Sequence, residues 1–152
     1  MSIEFRNTES PIHIVEIEKL EKLIELKFPI DYVNHLLKFN GGRCSPNRFS
    51  FLENKKETTS SIDWFLAIYD GEFDNLERYI LNYKVDEKRL PADIIPIAHD
   101  SGGNLVCISA YDGKIYFWDH EKEVVSSDSG YDDFSNLYLV SNDFNNFLNN
   151  LF

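Results

Sequence analysis

The segment Asp100–Asn104, which reads Asp-Ser-Gly-Gly-Asn, has the residue types of a phosphate- or cation-binding loop. A phosphate loop requires a glycine-rich turn that leads through a lysine into a helix. Here no lysine follows, and Leu105 starts a run typical of a strand. An EF-hand calcium loop requires a glutamate at its twelfth position, where this chain has Tyr111. The pattern instead predicts a β-turn, in which a glycine takes positive φ and Asp100 or Asn104 bonds the backbone.

A second group of residues with chemical potential is Asp119-His120-Glu121, which combines metal ligands with a candidate general base. Adjacent residues of a strand point to opposite faces, so Asp119 and His120 do not easily chelate one ion. We therefore expect His120 at the surface or in a hydrogen bond. His13 and His35 lie on predicted helices, with no cysteine or carboxylate at ligand spacing.

The two cysteines, Cys44 and Cys107, match neither a disulfide framework nor a metal-binding spacing. A nucleophilic cysteine requires a histidine base beside it, and the sequence proposes none. Both are therefore predicted to be small, buried and unreactive.

Acidic side chains are the best functional candidates, because 26 acidic residues face 15 basic ones and the net charge is −11. This charge repels nucleic acid and anionic lipid and attracts a basic partner. It also counts against base stacking by Trp64 or Trp118, which we expect in the core. The acidic candidates form either a solvated surface or a patch that meets a basic protein. They are Asp70, Glu72, Asp74, Asp112, Asp119, Glu121 and Glu123, followed by Asp128, Asp132 and Asp133.

The length of 152 residues predicts one domain. We divide the chain into a short polar lead, residues 1–12, and a single domain, residues 13–152. No basic segment followed by an apolar run opens the chain, and no stretch approaches the roughly 20 apolar residues of a membrane span. These features predict a protein of the reducing cytoplasm that contacts neither membrane nor nucleic acid.

The first predicted helix covers residues 14–26. Its apolar residues recur with the 3.6-residue period of a helix that buries one face. That stripe consists of Ile17, Leu20 and Ile24, widened by Leu23.

The second predicted helix starts at Pro29, since proline suits the first helical turn. It ends at Asn40-Gly41-Gly42, because either glycine can take the left-handed conformation that closes a last turn. Its apolar residues at helical spacing are Tyr32, Val33, Leu36, Leu37 and Phe39.

The rest of the chain predicts mainly strands. Asp112-Gly113 joins two of them in a hairpin, and hairpins rather than crossovers indicate an α+β fold with an antiparallel sheet. The polar runs 53–61 and 132–136 are predicted as loops. Strands are predicted at 48–52, 63–69, near 94, 105–110, 114–119 and 124–125, with helices at 76–83 and 143–152.

Four of these segments, in this order, resemble the signature of the SUKH superfamily. This is the domain of the Smi/Knr-type cell-wall regulators and of many bacterial immunity proteins. Its motifs are a proline-started helix ending in Asn-Gly-Gly, an Asp-x-Gly-Gly-Asn turn, a Tyr-x-Trp-Asp-His-Glu strand and a Phe-x-x-Phe-Leu terminal helix. The matching residues include Pro29, Tyr32, Asn40, Gly41, Gly42, Asp100, Gly102, Gly103, Asn104, Tyr116 and Trp118.

The resemblance implies a single-domain SUKH (Smi/Knr-like) fold of class α+β, with a mainly antiparallel sheet of about six strands flanked by helices. It also implies binding of partner proteins without catalysis. Many bacterial members neutralise a toxin, often a nuclease, and the fungal members act in wall assembly and signalling. Our hypothesis is a cytoplasmic immunity protein (antitoxin), without cofactor or metal, that blocks a basic toxin domain. The alternatives are a regulatory adaptor of the wall-assembly type and an enzyme that uses His99, Asp119 and His120.

Overall fold

The computed structural model describes residues 3–126 and 130–152, and four α-helices lie in these ranges. They are α1 (Ile14–Ile24), α2 (Ile30–Lys38), α3 (Leu76–Ile80) and α4 (Phe144–Asn149). A π-helical turn (Leu81–Asp86) extends α3. None of these described helices combines the length and the apolar character that a membrane span requires.

Eleven strands are present in the described ranges. They are β1 (Glu4–Arg6), β2 (Arg43–Ser45), β3 (Arg48–Glu53), β4 (Lys56–Ser61), β5 (Trp64–Phe65), β6 (Ile94–His99), β7 (Leu105–Ser109), β8 (Ile115–Trp118), β9 (Val124–Ser126), β10 (Gly130–Asp133) and β11 (Leu137–Ser141). Five of them form the central sheet in the order β11-β8-β7-β6-β5, and every neighbour pair is antiparallel. The α+β class is confirmed. The pairs β1–β2, β3–β4 and β9–β10 stand beside the five-stranded sheet.

The first helix is shorter than predicted, because Glu25 takes left-handed dihedrals (φ 59°) and caps α1 after Ile24. Ile17 and Leu20 are buried as expected, whereas Leu23 is 55% exposed. The expected widening of the buried stripe by Leu23 is therefore wrong. The helix packs through a narrow seam, and Leu23, which is rotated about 100° around the axis from Ile24, lies outside it and faces solvent.

The second helix starts one residue later than predicted, with Pro29 as its N-cap. It ends at Lys38, before the glycine pair, so Gly41 and Gly42 do not close its last turn. Both glycines have positive φ for another reason. A Cβ on Gly41 would lie 2.5 Å from the Cβ of Ala67, and one on Gly42 would lie 2.6 Å from the carbonyl oxygen of Arg6. Here the chain passes too close to its neighbours for any side chain.

The run 53–61 is not a loop: most of it is β4, which pairs with β3 over its whole length. Asn54 and Lys55 take positive φ in the turn between the two strands. The sequence of β4 has no apolar alternation, because Phe49 and Phe51 of β3 supply the buried face of this hairpin. The backbone N–H and C=O groups of such a polar strand form hydrogen bonds with the neighbouring strand, although its side chains are not buried.

Other strand boundaries also differ from the prediction. The run 63–69 is strand only at β5, since the Ala67 amide leaves the sheet and donates to the carbonyl of Asp74 at 2.8 Å. The predicted loop 132–136 begins within β10, and β11 received no prediction. The lead 1–12 contains β1, which pairs with β2; the boundary of the domain at residue 13 stays a prediction.

The core lies between the central sheet and the helices α2 and α4. Tyr32 of α2 meets Phe144 of α4 edge to face at 5.4 Å, and Phe147 lies 5.6 Å from Phe49. A second buried cluster surrounds Trp118 on the other side of the sheet. Tyr116 is partly buried against that cluster. The predicted core position of Trp118 is thus correct, whereas Trp64 is half-buried below the guanidinium of Arg43 at 5.3 Å.

Candidate protein-binding surface

The register of the central sheet distributes the acidic candidates over different places. Leu105 is paired with His99 on one side and with Trp118 on the other, and these three residues lie at one end of the sheet. Asp119 directly follows Trp118 at this end. Asp112 lies in the β7–β8 turn at the opposite end, where its carboxylate is 3.9 Å from the ammonium of Lys114. The length of β8, about 10 Å, separates it from Asp119. The acidic candidates therefore do not form one patch.

Glu123 is used within the fold. Its carboxylate pairs with the guanidinium of Arg89 at 2.5 Å, and both side chains are largely buried. The same guanidinium lies over the rings of Tyr83 and Trp118, at 4.8 and 4.9 Å. The hydrogen bond from Glu123 raises the pKa of Arg89, so this cation stays charged. Glu123 thus anchors the segment after α3 to the sheet and is not available to a partner.

Asp119 and Asp74 also have partners inside the molecule. The Asp119 carboxylate accepts from the amide of Glu121 at 3.0 Å and caps a 3₁₀ turn, His120–Lys122. The Asp74 carboxylate lies 2.5 Å from Nε2 of His99, whose Nδ1 lies 2.8 Å from the carbonyl of Asp100. Both ring nitrogens of His99 therefore lie within hydrogen-bond distance of a partner inside the fold.

The segment Asp100–Asn104 forms a turn held by one carboxylate. Oδ1 of Asp100 accepts from the amides of Gly102 and Asn104, both at 2.9 Å. Oδ2 accepts from the side chains of Asn104 at 2.9 Å and Ser60 at 3.1 Å. Nε2 of His120 closes the turn at 2.8 Å from the Gly102 carbonyl. The turn thus connects Ser60 of β4 with His120, which follows β8. In the described part of the chain, no group of three or more His, Cys, Asp or Glu is placed to hold a metal.

The cysteines are buried and unpaired with each other. Burial raises the pKa of the Cys44 thiol to about 11, and it raises the pKa of Cys107 further. His35 lies among the rings of Phe5, Phe65 and Phe144, and burial lowers its pKa to about 4. Because burial raises the pKa of both thiols and so disfavours the thiolate form, neither cysteine is an activated nucleophile.

Asp70 and Glu72 are the acidic candidates that do face solvent together. They lie in the β5–α3 loop, residues 66–75, just before an exposed aromatic residue. That residue is Phe73, which is 75% exposed. Sequence reasoning did not single out Phe73, because an aromatic residue in a loop has no periodic neighbours that tell which way it faces. Glu121 is also exposed, but no exposed aromatic residue adjoins it in sequence. Asp128 and the side chains of Asp132 and Asp133 lie outside the described residues.

The β5–α3 loop is fixed by its own hydrogen bonds. The side-chain amide of Asn75 donates to the carbonyls of Tyr69 at 2.9 Å and Gly71 at 2.8 Å. Its oxygen accepts from the amide of Arg78 at 3.1 Å and caps α3. The Tyr69 hydroxyl donates to the carbonyl of Phe73. Phe73 is therefore held out in solvent by a loop that is ordered before any partner arrives.

Asn40 ties this loop to the start of the chain. Its Nδ2 donates to the carbonyls of Ser10 at 2.9 Å and Ile68 at 2.8 Å, and its Oδ1 accepts from the amide of Ile68 at 2.9 Å. The side chain is 2% exposed. The asparagine before the glycine pair thus links three segments that are distant in sequence, and the glycines allow them to approach.

The chain is similar in sequence to known proteins. The SMI1 / KNR4 family (SUKH-1) matches residues 11–150. A Bacillus subtilis (strain 168) protein, the SPbeta prophage-derived uncharacterized protein YokK, is 30% identical over 156 aligned residues, which cover 88% of this chain and 71% of that protein. The family match includes the Asn40 motif, the Asp100 turn and the β5–α3 loop.

Proposed function

The chain belongs to the SMI1 / KNR4 family (SUKH-1), and on that premise we propose that it is a non-catalytic immunity protein of the cytoplasm. It binds a cognate toxin domain and neutralises it by covering the toxin's working surface. The toxin class that best complements a net charge of −11 is a basic nuclease. Nuclease sites are basic because they hold phosphates, so an acidic protein is attracted to them and competes with their substrate.

The observation that carries this proposal is the β5–α3 loop. An aromatic side chain that is 75% exposed, Phe73, directly follows the exposed Glu72 and lies three residues after the exposed Asp70. Protein interfaces concentrate their binding energy in a few anchors that fill a pocket of the partner, surrounded by polar contacts. In this proposal Phe73 is the anchor, and the two carboxylates meet cations beside the pocket that it fills.

The internal roles of other polar groups support binding rather than catalysis. Asp74, Asp100, Asp119 and His99 already have partners within the fold. A general base must reach a proton of the substrate, which these groups reach only if they give up those partners. The exposed anchor and its carboxylates are instead free to meet a second protein surface.

The identity of the partner is tested by capture with a tagged chain from cells of its native strain, read by mass spectrometry. We expect a basic toxin or its C-terminal domain near one-to-one stoichiometry, whose activity the chain inhibits when the two are mixed. Recovery of wall-synthesis or signalling proteins, without any effect on a toxin, would contradict immunity and support the adaptor of the wall-assembly type.

The proposed steering of association by charge is tested with the recovered toxin domain by stopped-flow kinetics. Raising the ionic strength from about 0.05 to about 0.5 M shortens the screening length from roughly 14 to roughly 4 Å, and we expect association to slow at least about tenfold. Asp70→Asn with Glu72→Gln should slow association at low salt. Glu57→Gln with Asp112→Asn removes two charges elsewhere on the surface and should have a smaller effect. An association rate that does not change with salt would refute steering by charge.

A further inference from the structure

A groove of about 840 Å³ lies between α1 and the β5–α3 loop, which is the loop that carries Phe73. Apolar side chains that include Ile12, Leu23 and Ile68 contribute to its lining. Leu23 is 55% exposed. A groove whose lining is partly apolar and includes an exposed leucine offers burial to an amphipathic partner.

Four carboxylates also line the groove. They belong to Glu9, Glu16, Asp70 and Glu77, and the cation of the groove is Lys19. Glu16 accepts from the amide of His13 at 3.2 Å. Among the described residues, the carboxylates of Glu9, Asp70 and Glu77 have no ion pair within 4.0 Å. The negative charge of the groove is therefore not neutralised from within.

The neighbouring face of α1 shows that this charge is local. A cavity of about 800 Å³ on that face is lined by Glu18, Glu21 and Glu25 together with Lys19, Lys22 and Lys27. Three anionic and three cationic side chains balance there, so that face has no preference for the sign of a partner's charge. The acidic groove differs from it in charge although the two cavities are similar in size.

The walls of the groove are fixed before binding. Asn40 joins Ser10 on one wall to Ile68 on the other, and Asn75 holds the carbonyl of Tyr69. These bonds also occupy the backbone groups that an added strand would pair with. Recognition by strand addition is thus disfavoured, and a ligand that satisfies its own backbone fits better.

We propose that this groove, which we call the α1 groove, docks a basic amphipathic helix of the partner protein. The apolar stripe of that helix packs on Leu23 and Ile68, and its lysines or arginines meet Glu9, Asp70 and Glu77. With 11 residues, α1 offers a length of about 16 Å, enough for three turns of an antiparallel or parallel helix. The proposal rests on the proposed function, since Asp70 belongs both to the groove and to the Phe73 anchor loop and one toxin domain covers both.

The test uses a synthetic 15-residue helix of leucine and lysine, with leucines at helical spacing, titrated into the ¹⁵N-labelled chain and followed by NMR. We expect saturable shifts at Ile12, Leu23, Ile68 and Glu77, and an affinity that falls as salt rises. Asp70→Asn with Glu77→Gln should weaken binding about fivefold or more. The matched variant Glu18→Gln with Glu25→Gln removes two charges from the balanced face of the same helix and should change the affinity less than about twofold.

Three outcomes would overturn the groove as a docking site. They are shifts centred on another surface, equal weakening by both double variants, and no saturable binding up to about 1 mM peptide. A further variant, Leu23→Ser, separates the contribution of packing from that of charge. It should lower the affinity for the peptide without altering the fold, since Leu23 is 55% exposed. Because this titration needs no toxin, its failure would leave the immunity proposal standing. Capture of wall proteins in place of a toxin would leave the groove result intact.

Discussion

Asn40 binds both backbone groups of Ile68 with one side-chain amide. Its Nδ2 lies 2.8 Å from the Ile68 carbonyl, and its Oδ1 lies 2.9 Å from the Ile68 amide. The same Nδ2 reaches the carbonyl of Ser10 at 2.9 Å. An asparagine is suited to this position because it is donor and acceptor in one plane. The pairing holds together the two walls of the α1 groove.

Replacing Asn40 by aspartate removes the donor and places a carboxylate against two carbonyl oxygens. We expect the free energy of unfolding to fall by about 2–3 kcal/mol, because a buried group loses its partners. Urea unfolding followed by fluorescence measures this, and hydrogen exchange of the Ile68 amide should accelerate. Asn34 is exposed on α2, so Asn34→Asp serves as the control and should change stability by less than about 0.5 kcal/mol. Similar losses in both variants would contradict the role of Asn40.

Replacing Phe73 by alanine should leave stability within about 0.5 kcal/mol of the parent, because the ring is 75% exposed. The affinity for the toxin domain should fall about 30-fold or more, the loss typical of an anchor residue. Titration calorimetry on the captured complex measures it. Tyr111, which is 88% exposed in the β7–β8 turn, gives the matched control Tyr111→Ala, expected to bind normally. A normal affinity for Phe73→Ala would show that the anchor lies elsewhere.

Glu123→Gln should act on stability and not on binding. Losing the charge that pairs with Arg89 at 2.5 Å should lower the free energy of unfolding by about 1–3 kcal/mol, because hydrogen bonds to charged groups are the stronger ones. Glu121→Gln, at an exposed position two residues earlier, should be nearly neutral. Thermal unfolding compares the two. If Glu123→Gln kept its stability but lost the partner, Glu123 would belong to the interface after all.

His35 should make the protein less stable in acid. Burial, aided by the charge of Lys38, lowers its pKa to about 4 in the folded chain, against an ordinary value near 6.5 in the unfolded chain. Between these values the unfolded state binds more protons, so stability is complete above about pH 6.5 and declines as the pH falls toward 4. The full loss is roughly 3 kcal/mol.

His35→Leu removes this titration while keeping an apolar side chain among the same rings. The difference between the unfolding free energies of parent and variant should therefore depend on pH between about 6.5 and 4. Urea midpoints at several pH values measure it. Carboxylates that titrate in this range are common to both proteins and cancel in the difference. Parallel pH profiles would rule out His35 as the source.

Local periodicity accounts for what could be predicted about the fold. The stripes of α1 and α2, the Asp112-Gly113 hairpin and the alternation Phe49, Phe51 are patterns of a few residues, and each was found where predicted within a few positions. The pairing of the polar strand β4 with β3 was missed, as was β11. Strand pairing depends on which partner supplies the apolar face, and that partner is not encoded in the strand's own residues.

For the candidate binding surface, too, some features could be predicted from the sequence and others could not. The sequence alone determined that the protein is acidic, that Asp70 and Glu72 stand in a turn, and that Asn40 precedes a glycine pair. The tertiary structure decided which carboxylates form ion pairs inside the fold, as Glu123 does with Arg89. It also decided that Phe73 and Leu23 face solvent. Exposure and ion pairing depend on what the rest of the chain brings alongside, and those contacts join residues that are far apart in sequence.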